Sequence, residues 1–517
     1  MKNKYTTPLF LIPVLALNFN VAAQTKFQQN KQRIYKEIAE ESRLNGQLEK
    51  LATELLDEIG PRLVGSPEMK QAHDWVNSTY VKWNIQAENI PYGEWKSWQR
   101  GTTEITMTYP RLKSLEGTQL AWNTPAKKAT ESEVVVMPVF KSAAEFEKWV
   151  PSVKGKIVLV SQYQNSGRPE SQWKEQATEE DFIQYKEAKE QSLNEWNNSI
   201  KTTGKTIREL VSYLETKGAT GFIQSYNTGV MGSNRIFYSF TKQVPMVDVS
   251  LEDYGLLYRL AKNGKAPKVK INAQSKDLGT SKTFNTIATI PGKSRPEEYV
   301  MLSAHLDSWD GAQGATDNGT GTILMMEVAR LIKKYSPDND RTIVIGHWGS
   351  EEQGLNGSRA YVMDHPSEVQ KIKVLFNQDS GTGRINYIGG QGFTDSYNYL
   401  GSWLQQVPES MRKHIKTEFP GMPQGGGTDN ATFVAAGVPA FNLSTQNWDY
   451  GSYTWHTNRD TYDKIVFPEL EKNVVTTAIL ALEAANDPGE ISNAKRILPV
   501  DSEWPATKEP KRNSKEY

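Results

Sequence analysis

Residues 298–307 read EYVMLSAHLD, residues 341–352 read RTIVIGHWGSEE, and residues 373–379 read KVLFNQD. Each is a short, nearly continuous apolar run that ends on a histidine or on carboxylates. Such a run suits a strand buried on both faces, as strands of a parallel sheet are. Residues 319–335 between the first two runs are patterned as an amphipathic helix, and residues 357–364 and 469–486 as further helices. Strand, loop and helix in repetition predict an α/β fold. Its sheet is mixed but mainly parallel, with helices on both faces.

In such sheets ligands bind just beyond the carboxyl ends of the strands. Three successive strand ends then deliver His305, Glu351-Glu352 and Asp379 to one edge. Asp317 stands in Ala315-Thr316-Asp317-Asn318-Gly319, just before a helix. His456 stands in the loop Tyr453-Thr454-Trp455-His456-Thr457. A lone histidine after a strand is more often structural. Two histidines and several carboxylates converging on one edge are most economically explained by a metal site of nitrogen and oxygen ligands. A metal-bound imidazole needs an acceptor for its other ring N–H, and Asp307 is two residues from His305. An isolated Glu-Glu pair usually marks a solvated acidic turn. Here it follows an apolar strand, so one glutamate can bind metal while the other acts as general base on water.

These segments resemble peptidase family M28, a family of zinc peptidases. The matching stretches are His305-Leu306-Asp307, Ala315 to Gly319, Glu351-Glu352-Gln353-Gly354-Leu355, Asn377-Gln378-Asp379 and Trp455-His456-Thr457. Gly60 to Pro67 and Thr428 to Phe433 match as well. The resemblance implies a zinc-peptidase (phosphorylase/hydrolase-like) fold and two Zn2+ ions per chain. Asp317 would bridge them, His305 and Asp379 would complete one, and Glu352 and His456 the other. Glu351 would be the general base and Asp307 the group orienting His305. The implied substrate is a short peptide or dipeptide, and a homodimer is a further implication.

Residues 127–285 have a different texture. Short strands are expected at 133–139, 155–160, 218–223, 244–249 and 268–271, with a polar helical stretch at 171–216. This reads as a smaller inserted α+β module that resembles a protease-associated domain. With it, the chain resembles the carboxypeptidase Q-type subgroup of M28. The expected plan is a signal peptide (1–23), a first part of the catalytic domain (24–126), the insert (127–285), the catalytic domain (286–486) and a loosely ordered tail (487–517).

The bulk properties narrow the classes. At 517 residues the chain exceeds one core. Lys+Arg and Asp+Glu are both 60, which gives no global attraction to nucleic acid or anionic membrane. With no cysteine, disulfides, a lipid-modified cysteine, thiolate ligands and a cysteine nucleophile are excluded. Lys2 and Lys4, the apolar run 8–17 and Val21-Ala22-Ala23 read as an export signal, pointing to a secreted or periplasmic protein without a membrane anchor after cleavage.

Other residues carry weaker expectations. His347 is expected in packing, and His73, His365 and His414 on the surface. Trp309, Trp448 and Trp455 suit either a pocket wall or ordinary packing, and Asp460 either an outer-shell role or a turn. Two competing functions use the same architecture: a non-catalytic binding ectodomain and a glutaminyl cyclase-like transferase. No residue can be assigned from sequence to grip one terminus of a peptide.

Overall fold

The computed structural model describes residues 15–125 and 128–515, with side chains from residue 29 onward. Residues 1–14 of the expected export signal lie outside the described residues; the rest enters the helix Leu15–Asn45. No helix among the described residues is long and apolar enough to cross a membrane.

Strands are numbered along the chain. β1 (Gln86–Tyr109), β2 (Lys113–Ser114) and β3 (Gly117–Gln119) precede β4 (Thr130–Val136), β5 (Ile157–Leu159), β6 (Gly221–Gln224) and β7 (Met246–Val249). β8 (Lys268–Ile290), β9 (Arg295–His305), β10 (Arg341–Trp348) and β11 (Ile372–Asn377) follow. Last come β12 (Ile385–Gly389), β13 (Lys416–Glu418), β14 (Ala440–Asn442) and β15 (Ser444–Thr445). One 12-stranded sheet runs β14-β11-β9-β10-β8-β4-β5-β6-β7-β3, with β1 along β8 and β2 on β1. β12, β13 and β15 form a separate small sheet.

The three apolar runs open the strands β9, β10 and β11, which lie parallel. Trp348 sits opposite His305, and Asn377 opposite Ser303, so all three strands release their next residues at one edge. Every residue of β10 is buried, as expected of a strand covered on both faces. Alternation sends β9 side chains to two cores. Val300 and Leu302 join a core with Leu324, Val328 and Ile332 of the helix Thr320–Tyr335 and Leu470 and Val474 of Phe467–Asn486. Met301 faces the other way, with Val344, Leu375, Trp348 and Phe433.

β4 to β7 form a second parallel group with its own two cores. Val158 and Phe222 pack on Leu210 and Leu214, while Ile157 and Ile223 pack on Tyr254 and Leu257. The two parallel groups join through β8. Its first residues pair with β4 and its last with β10, and β1 lies antiparallel along most of its length. Along β1, Pro91, Gly93 and Gly101 interrupt the alternation where the ladder carries register shifts.

Two expectations are corrected. His73 is buried rather than at the surface, and its Nδ1 lies 2.8 Å from the Thr286 hydroxyl. It lies in the helix Pro67–Lys82 on the face that buries Met69, Ala72, Val76 and Tyr80. Residues spaced three and four apart share a helical face, so its polar sequence neighbours did not decide its burial. His347 is buried too, with Nε2 2.8 Å from the Tyr80 hydroxyl; His365 is half-buried and His414 exposed. The second correction concerns the tail, which is docked rather than loose. Arg512 donates to the Tyr92 carbonyl at 2.9 Å and pairs with Asp364, and its own carbonyl accepts the Glu94 amide at 2.7 Å.

Candidate metal centre

The sheet edge gathers the expected side chains into two trios that share one member. His305, Asp317 and Asp379 form the first; Asp317, Glu352 and His456 form the second. His305 Nε2 is 3.4 Å from Asp317 Oδ1 and 3.5 Å from Asp379 Oδ1. His456 Nε2 is 3.1 Å from Asp317 Oδ2 and 2.8 Å from Glu352 Oε2.

Several neighbours hold these side chains in place. His305 Nδ1 lies 3.0 Å from the backbone carbonyl of Asp307, which can only accept. The proton therefore sits on Nδ1, and the Nε2 lone pair faces the two aspartates. The Asp307 carboxylate, expected to orient this ring, is 3.6 Å from it. Its oxygens are engaged by the amides of Glu351 at 3.0 Å and Glu352 at 3.2 Å. Asp307 thus fixes the Glu-Glu turn with its side chain and the histidine with its main chain. Asp460 plays the corresponding part for Asp317. Its carboxylate accepts the amides of Thr316 at 2.7 Å and Asp317 at 3.1 Å, and the Thr316 hydroxyl at 2.7 Å.

Beneath the two loops lies Arg62, fully buried and without sequence-level warning beyond its place in the Gly60 to Pro67 turn. Its guanidinium donates to the carbonyls of Leu306 at 2.6 Å, Gln313 at 2.8 Å, Gly314 at 2.8 Å and Gly60 at 3.2 Å. Burial lowers it to about 10, against the pull of Asp460 and Asp307, so it stays charged. One cation thereby ties the loop after β9 to the loop carrying Asp317.

The electrostatics fit a site for divalent cations. Buried anions packed this closely need positive charge among them. Burial pushes Glu352 up to about 7, and does the same to Asp429 and Asp460. Glu351 is raised well above the usual carboxylate range, first by burial and then by Asp379 and Asp429, with His305 opposing. Burial alone would lower His456, yet Glu352 and Asp317 lift it to about 10. So many carboxylates buried around two imidazoles form a setting in which divalent cations would supply the balancing charge. His305 Nε2 and Glu352 Oε1 are buried with no hydrogen-bond partner among the described residues, the condition of ligand atoms aimed at an ion. The donor set, imidazole and carboxylate without thiolate, suits zinc.

Around the trios, Trp455 stacks on His456 with ring centroids 3.9 Å apart. Trp309 is buried with its centroid 6.3 Å from that of His456 and 5.1 Å from Phe237. Trp448 is 53% exposed and packs beside Gly383 instead. Arg359, on the helix Asn356–Asp364, was also missed by sequence reasoning. It is half-buried, makes no side-chain hydrogen bond or ion pair among the described residues, and feels the charges of Asp429 and Glu351.

Comparison with known proteins gives one consistent answer. Residues 285–480 match the family model "Peptidase family M28". Carboxypeptidase Q of Bos taurus is 27% identical over 461 residues, spanning 86% of this chain and 89% of that protein. A peptidase M28 precursor from Shewanella amazonensis SB2B superposes with TM-score 0.64 at 23% identity, covering 91% of this chain and 99% of that one. A zinc aminopeptidase from Bacillus subtilis does so with TM-score 0.55 at 18% identity, covering 87% of this chain and 97% of that one. The two solved structures share the fold.

Proposed function

We propose, with residues 285–480 belonging to peptidase family M28 as the premise, that the protein is an exported two-zinc exopeptidase acting on short peptides. The observation that carries this reading is the shared Asp317, which makes two ligand trios out of five side chains. His305, Asp317 and Asp379 would hold one zinc, and Asp317, Glu352 and His456 the other. Bound there, zinc would supply Lewis-acid activation of a water and of the scissile carbonyl.

The chain's own groups do the rest. Glu351 adjoins the ligand Glu352 but belongs to neither trio, so its carboxylate is free to move protons. It takes a proton from the attacking water as the water oxygen bonds to the carbonyl carbon. It returns that proton to the departing nitrogen as the C–N bond breaks, giving a carboxylic acid and an amine. Asp307 holds the amide of Glu351, and so the direction from which it acts.

Arg359 bears on which peptide end is held. A half-buried guanidinium with no hydrogen-bond or ion-pair partner among the described residues, beside the carboxylates of the reacting edge, suits a substrate carboxylate. This favours free C-termini, in keeping with the carboxypeptidase names of the sequence relatives. Residues 1–23 would serve export, and residues 127–285 would be the inserted unit. The test is a dipeptide library with N-blocked and C-blocked counterparts, assayed with zinc and after chelation. Cleavage should need zinc and a free carboxylate. Cleavage of every peptide at full rate in chelator would sink the metallopeptidase reading.

A further inference from the structure

Of the five ligand side chains, His305 ends β9, and Asp317, Glu352 and Asp379 lie in the segments that follow β9, β10 and β11. His456 does not. It lies in a loop with φ of 59°, a left-handed conformation that a non-glycine residue adopts only when its surroundings enforce it. Those surroundings lie on the other half of the sheet. The segment 232–237, between β6 and β7, runs beside residues 451–459 as an irregular two-stranded seam.

The seam is dense in bonds. The Ile236 amide donates to the His456 carbonyl at 2.9 Å, and Arg235 bridges to Thr457. The Asn458 amide donates to the Asn234 carbonyl at 3.0 Å, and the Asn234 amide returns to Asn458 Oδ1 at 2.9 Å. Arg459 Nε donates to the Gly232 carbonyl at 2.6 Å. A Cβ at Gly232 would stand 2.8 Å from Arg459 Nη2, so glycine is what lets that side chain approach. The rings follow the backbone. Arg235 lies 4.7 Å over Trp455, Trp455 stacks on His456, and Phe237 meets the His456 ring edge-on at 5.3 Å.

One residue anchors the seam to the sheet. Asn234 is buried, and its Nδ2 donates to Asp248 Oδ1 at 2.6 Å and to the Val249 carbonyl at 2.8 Å, both on β7. A continuous line of bonds therefore runs from β7 through Asn234 and Asn458 to the His456 loop. Inside its own half of the sheet, the loop is tied on either side of His456, by Thr454 to Thr316 at 2.8 Å and by Asp460 to the amides of Thr316 and Asp317.

We infer that Asn234 is a positioning residue for the second metal: the β4–β7 half of the sheet completes the Asp317–Glu352–His456 site and leaves the His305–Asp317–Asp379 site to stand alone. Outer-shell partners of metal ligands set their orientation, and losing one commonly weakens binding by about 10- to 100-fold. The inserted unit is thus a structural part of one metal site and no part of the other.

The inference rests on the two-zinc reading above, and zinc titration of the full chain separates the two. Wild type should bind two zinc ions. Asn234→Ala should bind the first as tightly as wild type and the second at least about 10-fold more weakly. Asn458→Leu, which removes the Oδ1 acceptor, should behave alike, while Asn458→Asp, which keeps it, should retain both ions. If both affinities in Asn234→Ala match wild type, or if both fall together, the assignment is overturned while the two-zinc reading survives. Fewer than two ions on wild type itself would overturn both.

Discussion

The carboxylate of Asp307 holds the backbone amide of Glu351 at 3.0 Å, so the proposed base is aimed by an acid that belongs to neither ligand trio. In Asp307→Asn an amide NH2 would face a backbone N–H in place of an acceptor. The expected result is a fall in kcat of about 10- to 100-fold with KM little changed, by analogy with other outer-shell groups. Steady-state rates on a cleaved dipeptide measure it; a change confined to KM would argue that Asp307 acts on binding instead.

Glu351→Gln removes the proton acceptor without touching either trio. It should keep the wild-type zinc content and lose about 10²- to 10⁴-fold in kcat. Elemental analysis and kinetics on one preparation test both halves. Wild-type turnover with full zinc would remove Glu351 from the mechanism.

Arg62→Met should destabilise the fold strongly. It strips four carbonyls of their donor in a dry interior. Breaking buried charged interactions costs about 3–5 kcal/mol. Arg62→Lys should restore little, because an ammonium cannot reproduce the planar fork. Urea unfolding of the chelated proteins gives the comparison, and near-wild-type stability in the methionine variant would contradict it.

His73 and His347 give the fold an acid limit. Burial lowers both to about 3, well under the value of about 6.5 expected when unfolded. Between those values the unfolded chain binds protons that the folded chain refuses. Their contribution is therefore complete above about pH 6.5 and is lost as pH falls toward 3, at roughly 1 kcal/mol per pH unit for each histidine. The His347→Gln variant should lose stability more slowly than wild type between pH 7 and 5, read as urea midpoints. Parallel slopes would place the acid sensitivity elsewhere.

Arg359→Met tests the grip on the substrate. KM for dipeptides with a free carboxylate should rise about 10-fold, the loss of one charged hydrogen-bonded contact. The residual cleavage of C-terminally amidated substrates, already poor in wild type, should be unchanged. An equal effect on both would show that Arg359 acts on the chemistry and not on the terminus.

The sequence made the near half of the sheet legible because β9, β10 and β11 are apolar throughout and end on chemistry. His305, Glu351, Glu352 and Asp379 follow from that pattern alone, and the structure brings them together with Asp317 and His456. What stayed hidden depends on contacts between distant residues. Nothing local says that Arg62 lies under the loop of Gly314, that Asp307 turns its carboxylate to the Glu-Glu turn, or that Asn234 reaches the loop of His456. Burial of His73 was within reach, since Met69, Ala72, Val76 and Tyr80 mark its helical face, but its polar neighbours were given more weight than that spacing.

The long ladder between β1 and β8 bears on how this protein could be reshaped. Because one continuous strand serves both halves, excising residues 127–285 would remove most of the partner of β1 along with the insert. The trimmed chain would present a long bare edge to its neighbours in solution, the kind of surface through which proteins aggregate. A minimal catalytic version would therefore need β1 shortened or a substitute strand supplied.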